Sequence, residues 1–123
     1  MGCEDLVKYF YHMTLNIKLY HWSTHSYSRH KSSDTLYGNL LELIDKFIEV
    51  YMGAYCRPKY DEKFNISVTQ FNDTDIKNEL ENYKKYITNE LPKYLKESDT
   101  DLLNIRDEIL GELNQTLYLF TLE

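Results

Sequence analysis

The chain has 123 residues, 42% of them hydrophobic, with 20 acidic and 14 basic side chains and a net charge of −6. That describes one globular domain over residues 1–123 with a single core, not a disordered chain. The acid excess argues against nucleic acid as a main partner, because phosphate backbones call for stripes of Lys and Arg. No apolar run approaches the ~18 residues needed to span a membrane.

The opening Met-Gly-Cys-Glu-Asp lacks the basic and then apolar order of a secretory leader. Cys3 and Cys56 have no paired spacing and read as inert thiols of an intracellular, reduced chain. Twelve tyrosines against a single alanine, Ala54, suggest an AT-rich genome.

Helical periodicity dominates. Leu6, Tyr9, Phe10, Met13, Ile17 and Tyr20 recur at helical spacing and predict a first helix over about 4–24. His25-Ser26-Tyr27-Ser28 is a polar break in which either serine can cap the next helix. A second helix follows over about 29–56, with Leu36, Leu40, Leu43, Ile44, Phe47, Ile48 and Tyr51 on its apolar face and Pro58 just past its end.

Residues 57–72 are the least regular stretch. The β-branched segment Phe64–Phe71 has no partner strand, so it reads as a long connection. Asn72 or Asp73 opens a third helix carrying Ile76, Leu80, Tyr83, Ile87 and Leu91, which Pro92 should kink or end. Ser98 and Asp99 restart the chain into a fourth helix with Leu102, Ile105, Ile109, Leu113, Leu117 and Phe120. Two short links and one long one give an all-α, ferritin-like four-helix bundle with a longer crossover between helices two and three.

All four histidines lie between His12 and His30. In the second helix His30 and Asp34 are four residues apart, as are Asp45 and Glu49. At about 100° per residue, Asp34, Asp45 and Glu49 lie about 40°, 60° and 100° around from His30, on one stripe. Imidazole and carboxylate together are a ligand set for iron, manganese or zinc. Asp34 and Asp45 are nevertheless about 16 Å apart along the axis, so one centre cannot use both pairs.

Two copies of the helix packed antiparallel about a two-fold axis would join the halves. His30 then pairs with Glu49 and Asp34 with Asp45, with the axis near Asn39 and Leu40 and with Gly38 beside it. The usual ferritin-like di-iron site, built from Glu-x-x-His motifs within one bundle, is absent, since helices three and four contain no histidine.

Leu19-Tyr20-His21-Trp22, His30-x-x-x-Asp34 and Asp45-x-x-x-Glu49-x-x-x-Gly53 resemble the mini-ferritins, the Dps-like proteins. The likeness covers residues 6–56 well and 98–122 loosely, and it suits a small viral or phage member. It implies a ferroxidase centre between two-fold-related subunits. His21, His30 and Asp34 would come from one chain, with Asp45 and Glu49 from the other. Fe(II) would be oxidised there by hydrogen peroxide or dioxygen, and Trp22 would be the aromatic that takes up a stray electron. It also implies a homo-oligomer, a dimer or a larger cage, in a cytoplasm or, for a virus, in host cytoplasm or virion. His21 and His30 are nine residues apart, three fewer than in the family, so the intervening turn is tighter.

Plainer readings stand beside these. His21 could be a buried, hydrogen-bonded histidine, Trp22 a core residue, His12 a surface residue and His25 an exposed turn residue. Asp107, Glu108 and Glu112 form an acidic patch on helix four. The protein as a whole could be a non-enzymatic helical dimer, a virion or scaffold component, or the holder of a purely structural zinc or manganese ion.

Overall fold

The apolar stripes condense into four helices. The structure, a computed structural model, describes residues 2–60 and 63–122. Helix α1 spans Cys3–Ser23, α2 Tyr27–Ala54, α3 Ile76–Lys85 and α4 Thr100–Leu119. A π turn, Tyr86–Glu90, and a 3-10 turn, Leu91–Tyr94, follow α3. Among the described residues there is no strand.

The stripes supply the core. Phe10, Met13 and Ile17 of α1, Leu40, Ile44 and Phe47 of α2, Leu80 and Tyr83 of α3, and Leu102, Ile109 and Leu113 of α4 are all buried. Each large apolar side chain removed from water contributes about 1.5–3 kcal/mol. Phe10 and Phe47 meet edge to face, with ring centroids 5.4 Å apart.

Only Thr24, His25 and Ser26 separate α1 from α2. Of the two candidate capping serines, Ser26 is the one used: its hydroxyl accepts from the Arg29 N–H at 3.3 Å.

The connection after Ala54 runs back along α1. His12 Nδ1 lies 2.6 Å from the Ser67 carbonyl, and the Thr69 N–H donates to Asn16 Oδ1 at 2.7 Å. The connection reaches the α1–α2 turn at Asp73, whose carboxylate accepts from Tyr20 Oη and Thr24 Oγ1, each at 2.7 Å. Helix α3 therefore starts at the same end as α2 and runs parallel to it. At the far end Asp99 accepts from Lys96 N–H and from the Tyr55 hydroxyl, and α4 returns to place the Phe120 carbonyl 3.5 Å from the Arg29 guanidinium. The order is up, down, down, up, with the long crossover between the two parallel helices.

Asn72 rather than Asp73 prepares α3. Its Oδ1 accepts from Thr74 N–H and Asp75 N–H, and its carbonyl accepts from Ile76 N–H. The predicted effect of Pro92 appears a turn early. The helix widens at Tyr86, where the Tyr86 carbonyl accepts from Leu91 N–H five residues on. Pro92 has no N–H to offer, and its ring crowds the preceding turn, so the regular ladder cannot continue through it. Ile87 and Leu91 still face the core from these turns.

His12 departs from its surface reading. Its side chain is only 25% exposed, because the crossover covers it and Glu79 lies 3.9 Å from its Nε2.

Candidate metal centre

His21 sits two residues before the end of α1 and His30 three residues after the start of α2. The turn folds these nearly equal distances onto each other, so the nine-residue spacing brings the two histidines face to face. The imidazoles stack with centroids 3.9 Å apart and planes 17° from parallel.

Each ring is tied to the other residue's backbone. His21 Nδ1 lies 2.7 Å from the His30 carbonyl, and His30 Nδ1 lies 2.9 Å from the His21 carbonyl. A carbonyl only accepts, so in both rings Nδ1 carries the proton. The His21 carbonyl lies in the last turn of α1 and has no following helical N–H to receive, so His30 satisfies it. Both Nε2 atoms keep a lone pair in the neutral rings. Metal-ligating histidines are commonly held this way, with the second nitrogen donating to a carbonyl.

His21 is buried and His30 exposed, so the pair has one anchored and one open member. Ser33 supports the anchored side, with its hydroxyl 3.3 Å from His21 Nδ1 and donating to the His30 carbonyl at 3.2 Å. Asp34 completes this end, with Oδ1 3.8 Å from His21 Nε2.

Lys18 is a further member that the sequence reading passed over. Its ammonium lies 3.7 Å from the same Asp34 oxygen, 5.3 Å from the Trp22 ring centroid and 4.8 Å from that of Tyr37. The signal was present in the spacing, since Lys18 precedes His21 by three residues and Trp22 by four, on one helix face. Trp22 is not core: it is 68% exposed and lies beside the half-site. His25 is exposed in the turn, as read from the sequence.

Asp45 and Glu49 are exposed one turn apart on the far half of α2. Hydrogen bonding to Asp45 and repulsion from its charge raise the Glu49 carboxyl above the usual range. The chain does not bring this pair to His21, His30 and Asp34. Among the described residues of one chain, no three or more His, Cys, Asp or Glu side chains converge closely enough to hold a metal ion.

At the level midway between the two pairs, Leu40 is fully buried in its own core and Asn39 donates to Glu112 Oε2 of α4 at 3.0 Å. Their side chains therefore belong to the bundle, and the ligand stripe at this level carries Gly38 and the half-exposed Leu41. A Cβ added at Gly38 meets nothing within 4 Å. The acidic patch of α4 joins Glu42 across a groove of about 490 Å³ lined by Asn39, Glu108 and Glu112.

No helix is long and apolar enough to cross a membrane among the described residues. No solved structure matches the chain. An "Uncharacterized 14.6 kDa protein in mobD-ri intergenic region" of Enterobacteria phage T4 is 32% identical over 104 residues, covering 84% of this chain and 75% of the phage protein. Residues 21–120, a span that includes all five candidate ligands, match the "Family of unknown function (DUF5856)". With a match this extensive, the chain belongs to the DUF5856 family.

Proposed function

We propose that this protein is a mini-ferritin-like iron-binding protein that oxidises Fe(II) at metal sites shared between two antiparallel copies of α2. The observation that carries the reading is the reciprocal clamp of His21 and His30. It fixes both tautomers with Nε2 free, next to the Asp34 carboxylate. The donor chemistry fits iron, with manganese or zinc as alternatives, because neutral imidazole and carboxylate suit these ions.

Each chain would contribute His21, His30 and Asp34 to one site and Asp45 and Glu49 to the other. Bound iron would supply the electron transfer: two Fe(II) give one electron each to a peroxide, which takes up two protons and leaves as water, or dioxygen serves as oxidant. The chain's own part is to hold the imidazoles rigid through backbone carbonyls and to present carboxylates that neutralise the added charge. Trp22, exposed beside the half-site, would take up a stray electron. A dimer is the smallest assembly this requires, and a larger cage would be built from it.

A second reading is favoured by Lys18, which already pairs with Asp34. On that view His21, His30, Asp34 and Lys18 form a structural cluster in a non-enzymatic helical protein, a virion or scaffold component. Fe(II) with peroxide separates the two readings. The ferric absorbance should rise with the native chain and not with a His30→Ala, Glu49→Ala double variant. Mixing the two single variants should restore about a quarter of the rate, since about half of the dimers formed at random are mixed and each of these has one intact site of two. Equal traces from native and double variant would favour the structural reading.

A further inference from the structure

We propose that Cys56 and Cys3 are a redox-active pair: hydrogen peroxide oxidises the exposed Cys56 thiolate, and Cys3 then closes a disulfide that ties the root of the crossover to the start of α1. This goes beyond the iron reading and needs no metal.

The two residues are far apart in the chain, and the fold brings them to one place. Cys3 is the first residue of α1. With Leu6 and Val7 it lines a small apolar cavity, shared with Phe47, Ile48 and Tyr51 of α2 and with Pro58 of the crossover. Tyr55 stacks on Tyr51 with ring centroids 4.7 Å apart, so the chain leaving α2 folds over the same side. Cys56 follows Tyr55 and stands two residues before Pro58. Its Cα is therefore within about 7 Å of that of Pro58, which borders the cavity together with Cys3. The Tyr51 hydroxyl interacts with the Cys3 sulfur, and the charge of a Cys56 thiolate is felt at both.

A disulfide needs its Cα atoms within about 7 Å of each other. Residues 56–60 lie outside regular secondary structure, and Cys3 stands at a helix end. The final approach of the sulfurs therefore rearranges no helix interior.

The two environments suit different roles. Cys56 is exposed and open to peroxide, whereas Cys3 is half-buried. Burial, then the Glu4 carboxylate, then Cys56 hold the Cys3 thiol above its ordinary value. Cys3 thus stays protonated and does not compete for the oxidant. The Cys56 sulfur bonds to one peroxide oxygen as the O–O bond breaks, which gives a sulfenic acid and hydroxide. The Cys3 sulfur then displaces the sulfenic oxygen, which leaves as water with the Cys3 proton. The hydroxide takes up the proton that Cys56 had released. In all, the two sulfurs lose two electrons, and peroxide becomes two waters. The second sulfur also keeps Cys56 from the irreversible acids.

The test uses the full chain in chelator, so that iron chemistry has no part. Hydrogen peroxide should consume both thiols, lower the mass by two hydrogens and leave the chain monomeric without reductant. The melting temperature should rise by roughly 10 °C and fall back when reductant is added. In Cys3→Ser, Cys56 should accumulate as a sulfenic acid that dimedone traps. In Cys56→Ser, Cys3 should stay unreacted over the same interval. Both positions lie outside the buried core, so both variants keep the fold. Two thiols still free after peroxide would overturn the pair, as would a disulfide found only between chains. Cys3 oxidising at an unchanged rate in Cys56→Ser would overturn the assignment of roles. None of these outcomes bears on the iron reading, which stands or falls on the ferric absorbance.

Discussion

The imidazoles of His21 and His30 are stacked at 3.9 Å, and each donates Nδ1–H to the other's backbone carbonyl. The arrangement links the end of α1 to the start of α2 and sets the free nitrogens at the same time. His21→Ala removes a buried ring and leaves the His30 carbonyl without that donor. Urea unfolding should show a loss of about 2–4 kcal/mol. His30→Ala, at an exposed position, should cost about 1 kcal/mol. Equal losses from the two would mean that burial does not distinguish them.

The crossover is held by Asn16, which is fully buried. Its Oδ1 accepts from Thr69 N–H at 2.7 Å, and its Nδ2 donates to Tyr83 Oη at 3.1 Å. Asn16→Ala breaks both bonds and leaves the Tyr83 hydroxyl to Glu79 alone, at a cost of about 2–3 kcal/mol. Amide exchange at Thr69 should accelerate by more than the global change in stability accounts for. Unchanged protection at Thr69 would contradict the pinning role.

Acid stability should depend on Asp73. Hydrogen bonds from Tyr20 and then Thr24, with Arg29 nearby, hold its carboxyl below the ordinary 3.8. The folded value is depressed, so the folded state binds this proton less readily than the unfolded chain. The contribution is present above the unfolded value and is lost as the pH falls through the folded one. Asp73→Asn should flatten the fall in melting temperature below about pH 4. An unchanged acid limb would show that Asp73 does not contribute to it.

Gly38 provides a test with opposite signs. In the isolated chain it is an interior helix glycine with open space outside it, so Gly38→Ala should raise stability in chelator by about 0.5–1 kcal/mol. At the two-fold contact proposed above the added methyl, level with Leu41 of the second copy, should weaken self-association several-fold. A gain in stability with unaltered association would place the two-fold axis elsewhere on the helix.

The helical stripes were legible because a period of 3.6 residues is a property of neighbours in the chain. Leu36, Leu40 and Ile44 could face inward only together, and they do. Trp22 was legible too: it lies two residues past Tyr20, off the apolar stripe, and of its two readings the core one fails, because it is exposed. His12 lies two residues past Phe10 and by the same rule reads as surface. It is covered because Ser67, 55 residues away, crosses over it. No local pattern encodes that meeting.

The sequence by itself determined the four helices, the long second connection and the ligand stripe on α2. It also determined that Asp34 and Asp45 cannot serve one centre in one chain, because the rise per residue depends on nothing beyond the helix. Tertiary structure decided what surrounds that stripe. A three-residue turn set His21 against His30 and gave each ring the other's carbonyl, and packing of α1 on α2 put Lys18 beside Asp34. These pairings depend on how two helices dock in space, and docking is settled by the burial of both apolar faces at once.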